Sequence, residues 1–151
     1  MKKLVAYFSA SGVTAGKARA LAELTGSELY EIQPEEVYTP ADLDWTDKKS
    51  RSFVEMHNPD SRPALAERIT DVSSYDVVYI GFPIWWGVAP HVVNTFMESN
   101  SLEGREIVLF ATSGGSGIEM AVQDMRKRYP ALDIRGGKLL NGRVDKDIRQ
   151  P

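Results

Sequence analysis

The chain has 151 residues, 42% hydrophobic and 26% charged, the length and composition of one globular domain with its own core. It contains no cysteine, which excludes disulfides, thiolate zinc sites, iron–sulfur clusters and a cysteine nucleophile. Eighteen Lys and Arg stand against twenty-one Asp and Glu for a net charge of −3, without a long basic run, so no nucleic acid is expected as a partner and no stretch reads as a membrane span.

The first element, residues 4–8, follows two lysines but is too short for a secretory signal and reads as a strand. Like residues 77–82 and 107–111, it is a continuous apolar run of β-branched and aromatic residues closed by turn residues, the pattern of a strand buried on both faces. Residues 28–32 and 132–135 alternate instead, which suits the two edges of a sheet. Between the strands apolar residues recur at helical spacing: Ala18, Leu21, Ala22 and Thr25, then Val93, Phe96 and Met97, then Ile118, Ala121, Val122, Met125 and Tyr129. The stretch 33–74 is less regular and carries Pro34, Pro40, Pro59 and Pro63, with short helices predicted over 48–56 and 64–69. Alternating strands and helices predict right-handed crossovers and a single α/β domain over 1–151. That domain is a three-layer sandwich whose five-stranded parallel sheet has the order 2-1-3-4-5.

In such a sheet ligands bind outside the carboxyl ends of the strands, where the strand order reverses. Three loops meet there. The first, Ser9-Ala10-Ser11-Gly12-Val13-Thr14, brings hydroxyls and free backbone N–H groups to a helix start, which suits a phosphate; a plain helix cap by Ser11 or Thr14 explains only one of its hydroxyls. Lys17 reads as solvated. The second, Pro83-Ile84-Trp85-Trp86-Gly87, offers aromatic surface to a flat ring; one tryptophan is expected in the core, and Trp86 is favoured as the ligand-facing one. The third, Thr112-Ser113-Gly114-Gly115-Ser116-Gly117, lets backbone N–H groups approach a ligand, although a simple turn would use the same glycines. Residues 12–18 fall one position short of a nucleotide P-loop, and Ile118 breaks the spacing of a serine-hydrolase elbow after Gly114. His57 and His91 lack metal spacing and read as surface histidines, His91 near the crevice rim.

These three motifs, in this order and over most of the chain, resemble those of the bacterial short-chain flavodoxins. The resemblance implies a flavodoxin-like fold, FMN as cofactor and a low-potential, cytoplasmic electron-transfer flavoprotein that meets redox partner proteins and has no catalytic acid or base and no metal. It assigns Ser9, Ser11, Gly12, Val13 and Thr14 to the FMN phosphate. Pro83, Ile84, Trp85, Trp86 and Gly87 go to the ribityl chain and one ring face, and Thr112, Ser113, Gly114 and Gly115 to the pyrimidine edge. It also implies that the peptide beside Gly87 turns over when the flavin is reduced.

Two departures stand out. The family usually has Asn where this chain has Val13, which removes a side-chain donor. Flavodoxin-like chains close with a full helix, whereas residues 144–149 allow barely two turns; a truncated last helix is expected to leave the sheet face beside the first helix partly uncovered, favouring a partner or a homodimer. Two other functions stay open. An NAD(P)H-dependent quinone or flavin oxidoreductase on the same fold is disfavoured by a tryptophan over the ring. A cofactor-free receiver-like signalling module is disfavoured by serines where its acidic cluster would stand.

Overall fold

The computed structural model describes residues 1–67, 71–144 and 148. Five parallel strands, β1 (Lys3–Tyr7), β2 (Glu28–Glu31), β3 (Val77–Pro83), β4 (Glu106–Thr112) and β5 (Asp133–Leu139), form one sheet in the order β2-β1-β3-β4-β5. The helices described are α1 (Val13–Thr25), α2 (Arg51–Met56), α3 (His91–Ser99) and α4 (Glu119–Arg128), with one turn of 3-10 helix at Val72–Ser74. Among the described residues no helix is long and apolar enough to cross a membrane.

Strand periodicity divides the core into two layers. Leu4, Ala6 and Phe8, with Val78, Ile80, Phe82, Ile107, Leu109 and Ala111, face α3 and α4. Val5, Tyr7, Val77, Tyr79, Val108 and Phe110 face Ala18, Leu21 and Ala22 of α1 on the other side. The three central strands are buried on both faces, which is why they read as unbroken apolar runs. Gly81 is required by that packing, because a Cβ there would lie 2.1 Å from the Phe110 ring.

The face beside α1 is closed rather than open. Tyr79, Val108, Phe110 and Leu140 are at most 1% exposed, and Val144 and the fully buried Ile148 pack against them. Val144 and Ile148 thus fill the layer beside α1, and the sheet face expected to be partly uncovered is covered there. Whether residues 145–147 and 149 are helical lies outside the described residues.

The stretch after β2 departs from expectation in two places. The helix predicted over 48–56 begins only at Arg51, where Ser50 in extended conformation caps it by accepting from the Phe53 N–H (3.3 Å). The helix predicted over 64–69 is replaced, as far as Glu67, by an antiparallel bridge between Pro34 and Leu65: Glu35 N–H donates to Ala64 O and Ala66 N–H to Gln33 O, both at 2.8 Å. Backbone groups at a sheet edge need partners, and a six-residue helix is too short to nucleate against that demand. Arg68 and Ile69 lie outside the described residues.

Candidate functional site

The three loops singled out in the sequence do meet, joined by one backbone and one side-chain hydrogen bond. Ile84 N–H donates to Thr112 O (2.9 Å), and the buried hydroxyls of Thr14 and Thr112 lie 2.8 Å apart. The second bond ties the start of α1 to the end of β4, so the Thr14 hydroxyl positions the loop while its backbone N–H stays in the first turn of the helix.

At the first loop Gly12 takes φ 95°, a left-handed conformation that glycine adopts without a Cβ penalty, and its N–H donates to Ser9 Oγ (3.1 Å). No side chain caps α1, and Ser11, Gly12 and Val13 are exposed. Space around Gly12 is open, since a Cβ there would meet nothing within 4 Å. The first-turn N–H groups of a thirteen-residue helix therefore face outward with the positive end of its dipole and no acidic residue in the turn, an arrangement that fits a phosphate. Lys17, read as solvated, instead donates to Gly142 O and braces this helix against the chain end.

At the second loop Trp85 and Val88 bond to each other through both backbone groups (2.9 and 3.1 Å) around Trp86 at φ 50° and Gly87 at φ 85°. Positive φ at both central residues is the signature of a type I′ turn. Trp86 is the single non-glycine residue with positive φ among the described residues, a conformation costing about 1–2 kcal/mol for a residue with a Cβ. The turn separates the two indoles. Trp85 packs edge-on to Phe8 and Tyr38, with centroids 5.6 and 5.3 Å away, and Trp86 is the exposed one at 40%. Trp86 does not stand free, however, but leans edge-on against the stacked pair Phe53 and His57 of α2 and its C-terminus. Because Gly87 already has positive φ, any turning of the adjacent peptide starts from a conformation that an alanine would strain.

At the third loop Ser113 is gripped through its backbone by the Asn141 side chain, N–H to Oδ1 at 2.8 Å and Nδ2 to O at 2.9 Å. Its hydroxyl accepts from Gly115 and Ser116 N–H, so the Gly115 donor expected for a ligand is engaged within the turn. Gly114 and Gly115 both face open space.

Several residues of the site escaped the sequence reading. Tyr38 donates to Glu55, which also pairs with Arg51 (2.8 Å), and the Arg51 guanidinium lies 3.8 Å from the Tyr38 ring centre. Burial first, and then the bond to Glu55, push the Tyr38 hydroxyl well above the usual tyrosine range, so it stays a neutral donor. His91 is not on the surface: it is 4% exposed, its Nδ1 lies 2.6 Å from Ser61 Oγ, and burial followed by the nearby Arg62 and Arg128 lowers its pKa. Asn141 was equally hidden, being a polar residue after an edge strand. The one signal for the Tyr38 cluster is the pair of aromatic residues, Tyr38 and Trp45, set among Pro40, Asp42 and Asp44.

The family pattern described as Flavodoxin matches residues 2–150. A candidate flavoprotein from Bacteroides eggerthii DSM 20697 shares 51% identity over 98% of this chain and 93% of its own, with a TM-score of 0.95. One from Bacteroides uniformis ATCC 8492 shares 49% over 99% and 96%, with a TM-score of 0.93. A flavoprotein from Lactobacillus acidophilus NCFM, solved in complex with FMN, matches at 24% identity over 91% and 92% of the two chains with a TM-score of 0.74, which bears on the fold alone. No curated protein matches. The strand order, the three loops converging on one crevice and a family pattern that runs almost from end to end together place the chain in the flavodoxin family.

Proposed function

We propose that the chain binds FMN and works as an electron-transfer flavoprotein of the cytoplasm that passes electrons between redox partner proteins. The observation that carries the FMN reading is the start of α1, where uncapped first-turn N–H groups and the exposed Ser11 hydroxyl face open space beside Gly12. Ser11, Gly12, Val13 and Thr14 would hold the phosphate, mainly through backbone N–H groups, with Ser9 and the Thr14 hydroxyl shaping the turn. Pro83, Ile84, Trp85, Trp86 and Gly87 would flank the ribityl chain and ring, and Thr112, Ser113, Gly114 and Gly115 its polar edge. Bound FMN supplies the redox chemistry; the protein's part is to hold and orient the ring and to keep the loops around it fixed.

One feature supports a carrier over an NAD(P)H oxidoreductase. Exposed Val13, Trp86 and Met120 stand at the loops, apolar surface for a protein to touch close to the ring. Titration of FMN and riboflavin into the apoprotein tests the first half, with FMN expected to bind far more tightly and, at a hundredfold excess over Kd, to add about 2.7 kcal/mol of stability. Anaerobic mixing of the loaded protein with NADH and NADPH tests the second. Bleaching only through a separate reductase fits a carrier, and rapid direct bleaching overturns it.

A further inference from the structure

Met120, the second residue of α4, lays its thioether across the turn of the second loop. A Cβ added to Gly87 would lie 2.5 Å from Met120 Sδ and 3.4 Å from its Cε, so the sulfur rests where Gly87 carries hydrogen in place of a side chain. The turn beneath it is strained: Trp86 at φ 50° and Gly87 at φ 85° are closed by the paired backbone bonds of Trp85 and Val88. Such a turn keeps its shape only while its neighbours hold it. Met120 is nevertheless 61% exposed, so small solutes reach it from the solvent.

The other four methionines are placed differently. Met97 and Met125 are buried in the core, and Met56 is half-buried at the end of α2. Met1 is exposed but precedes β1, at the end of the sheet away from the three loops. Oxidation of a thioether by peroxide follows its exposure, which singles out Met120 at the loops.

We propose that Met120 is a site of reversible oxidation by hydroperoxides, and that its sulfoxide releases the turn at Trp86 and Gly87 from α4. The sulfur lone pair attacks one peroxide oxygen, and the S–O bond forms as the O–O bond breaks. The proton on the attacked oxygen passes to the departing one, so that sulfur gives up two electrons and hydrogen peroxide leaves as water. The product is polar and bulkier than the thioether. A sulfoxide oxygen turned toward Gly87 has no room against the backbone of the turn, and one turned toward water draws the side chain out of an apolar contact; both break the hold of α4 on the turn. The site needs only the polypeptide and stands whether or not FMN binds at the loops.

The test treats the full chain, without FMN, with graded hydrogen peroxide, following each methionine by peptide mass spectrometry and the indoles by fluorescence. Met120 is expected to oxidise at least about tenfold faster than Met97 or Met125, with a shift in indole emission that grows with Met120 sulfoxide and is reversed by methionine sulfoxide reductases. Met120→Leu, an exposed swap of nearly equal volume, should fold and keep its emission unchanged over the same peroxide range. Trp86→Phe should abolish the shift in a chain that still oxidises at Met120, which assigns the signal to the turn. Oxidation of Met120 no faster than that of the buried methionines, or an emission unchanged once Met120 is fully oxidised, would overturn the proposal. So would a shift that persists in Trp86→Phe, or one that persists in Met120→Leu and therefore arises at another methionine.

Discussion

The loops at the carboxyl ends of β1, β3 and β4 and the excursion between β2 and β3 adjoin at the tryptophans, yet they are held by different forces. The loops are joined by directional bonds: Ile84 to Thr112, Thr14 to Thr112, and Ser113 to both ends of the Asn141 amide. The excursion is held by ring edges and buried polar pairs: Tyr38 on Trp85, Phe53 and His57 on Trp86, and Ser61 on His91. Hydrogen bonds fix positions to fractions of an ångström and suit a site that grips a cofactor. Aromatic edges tolerate sliding, and suit a wall that has to accommodate whatever enters beside it.

If Trp85 is the joint between the two regions, Trp85→Ala should be the most damaging change. It removes an indole packed on Phe8 and Tyr38 and should cost about 3 kcal/mol or more in urea unfolding. Trp86→Ala, at the exposed neighbour, should cost about 1 kcal/mol or less while weakening FMN. Equal losses at the two positions would erase the distinction between joint and ring-facing residue.

Within the loops, Thr14→Val conserves shape but strands the buried Thr112 hydroxyl, and about 1–2 kcal/mol of stability should be lost with or without FMN. Adding Thr112→Val should restore part of that loss, because the pair is then apolar on both sides; simple additivity in this double-mutant cycle would show that the two hydroxyls do not act together. Gly87→Ala should cost about 1–2 kcal/mol from its positive φ, with the Met120 side chain, whose Sδ lies 2.5 Å from the added Cβ, having to shift, and equally in oxidised and reduced protein. A loss confined to the reduced form would instead reveal a peptide that turns over at this position.

The excursion has its own acid weakness. His91 has a folded pKa below its unfolded value, so its contribution is fully present above pH 6.5 and is lost as pH falls below it, when the unfolded state binds the proton more readily. His91→Gln should flatten stability against pH on that acid side, as read by urea melts from pH 8 down to pH 5, and an unaltered slope would show that another group carries it. The smallest effect on folding is expected at Ser11→Ala, exposed on the first loop, which should change stability by no more than about 0.5 kcal/mol. The same change should cost FMN about 1–3 kcal/mol of affinity and riboflavin almost nothing if the hydroxyl meets the phosphate. Equal losses for both ligands would move the phosphate elsewhere.

The amino-acid sequence alone was enough for the strand order and the meeting of three loops, because both depend on local signals. Unbroken apolar runs at 4–8, 77–82 and 107–111 mark strands buried on two faces, and a turn rich in hydroxyls, tryptophan or glycine after each marks where a parallel sheet places its ligands. What had to wait for tertiary structure were pairings between residues far apart in the chain. The edge at Gln33 captures Leu65 and its neighbours in an extended bridge, His91 is buried through Ser61, Asn141 reaches back to Ser113, and Ile148 seals a sheet face that a short tail was expected to leave open. None of these has a periodicity to read. Each is decided by which unpaired backbone group, buried polar atom or gap in the core the rest of the fold has left to be filled, and that residue of unmet demand exists only once the sheet and its helices are in place.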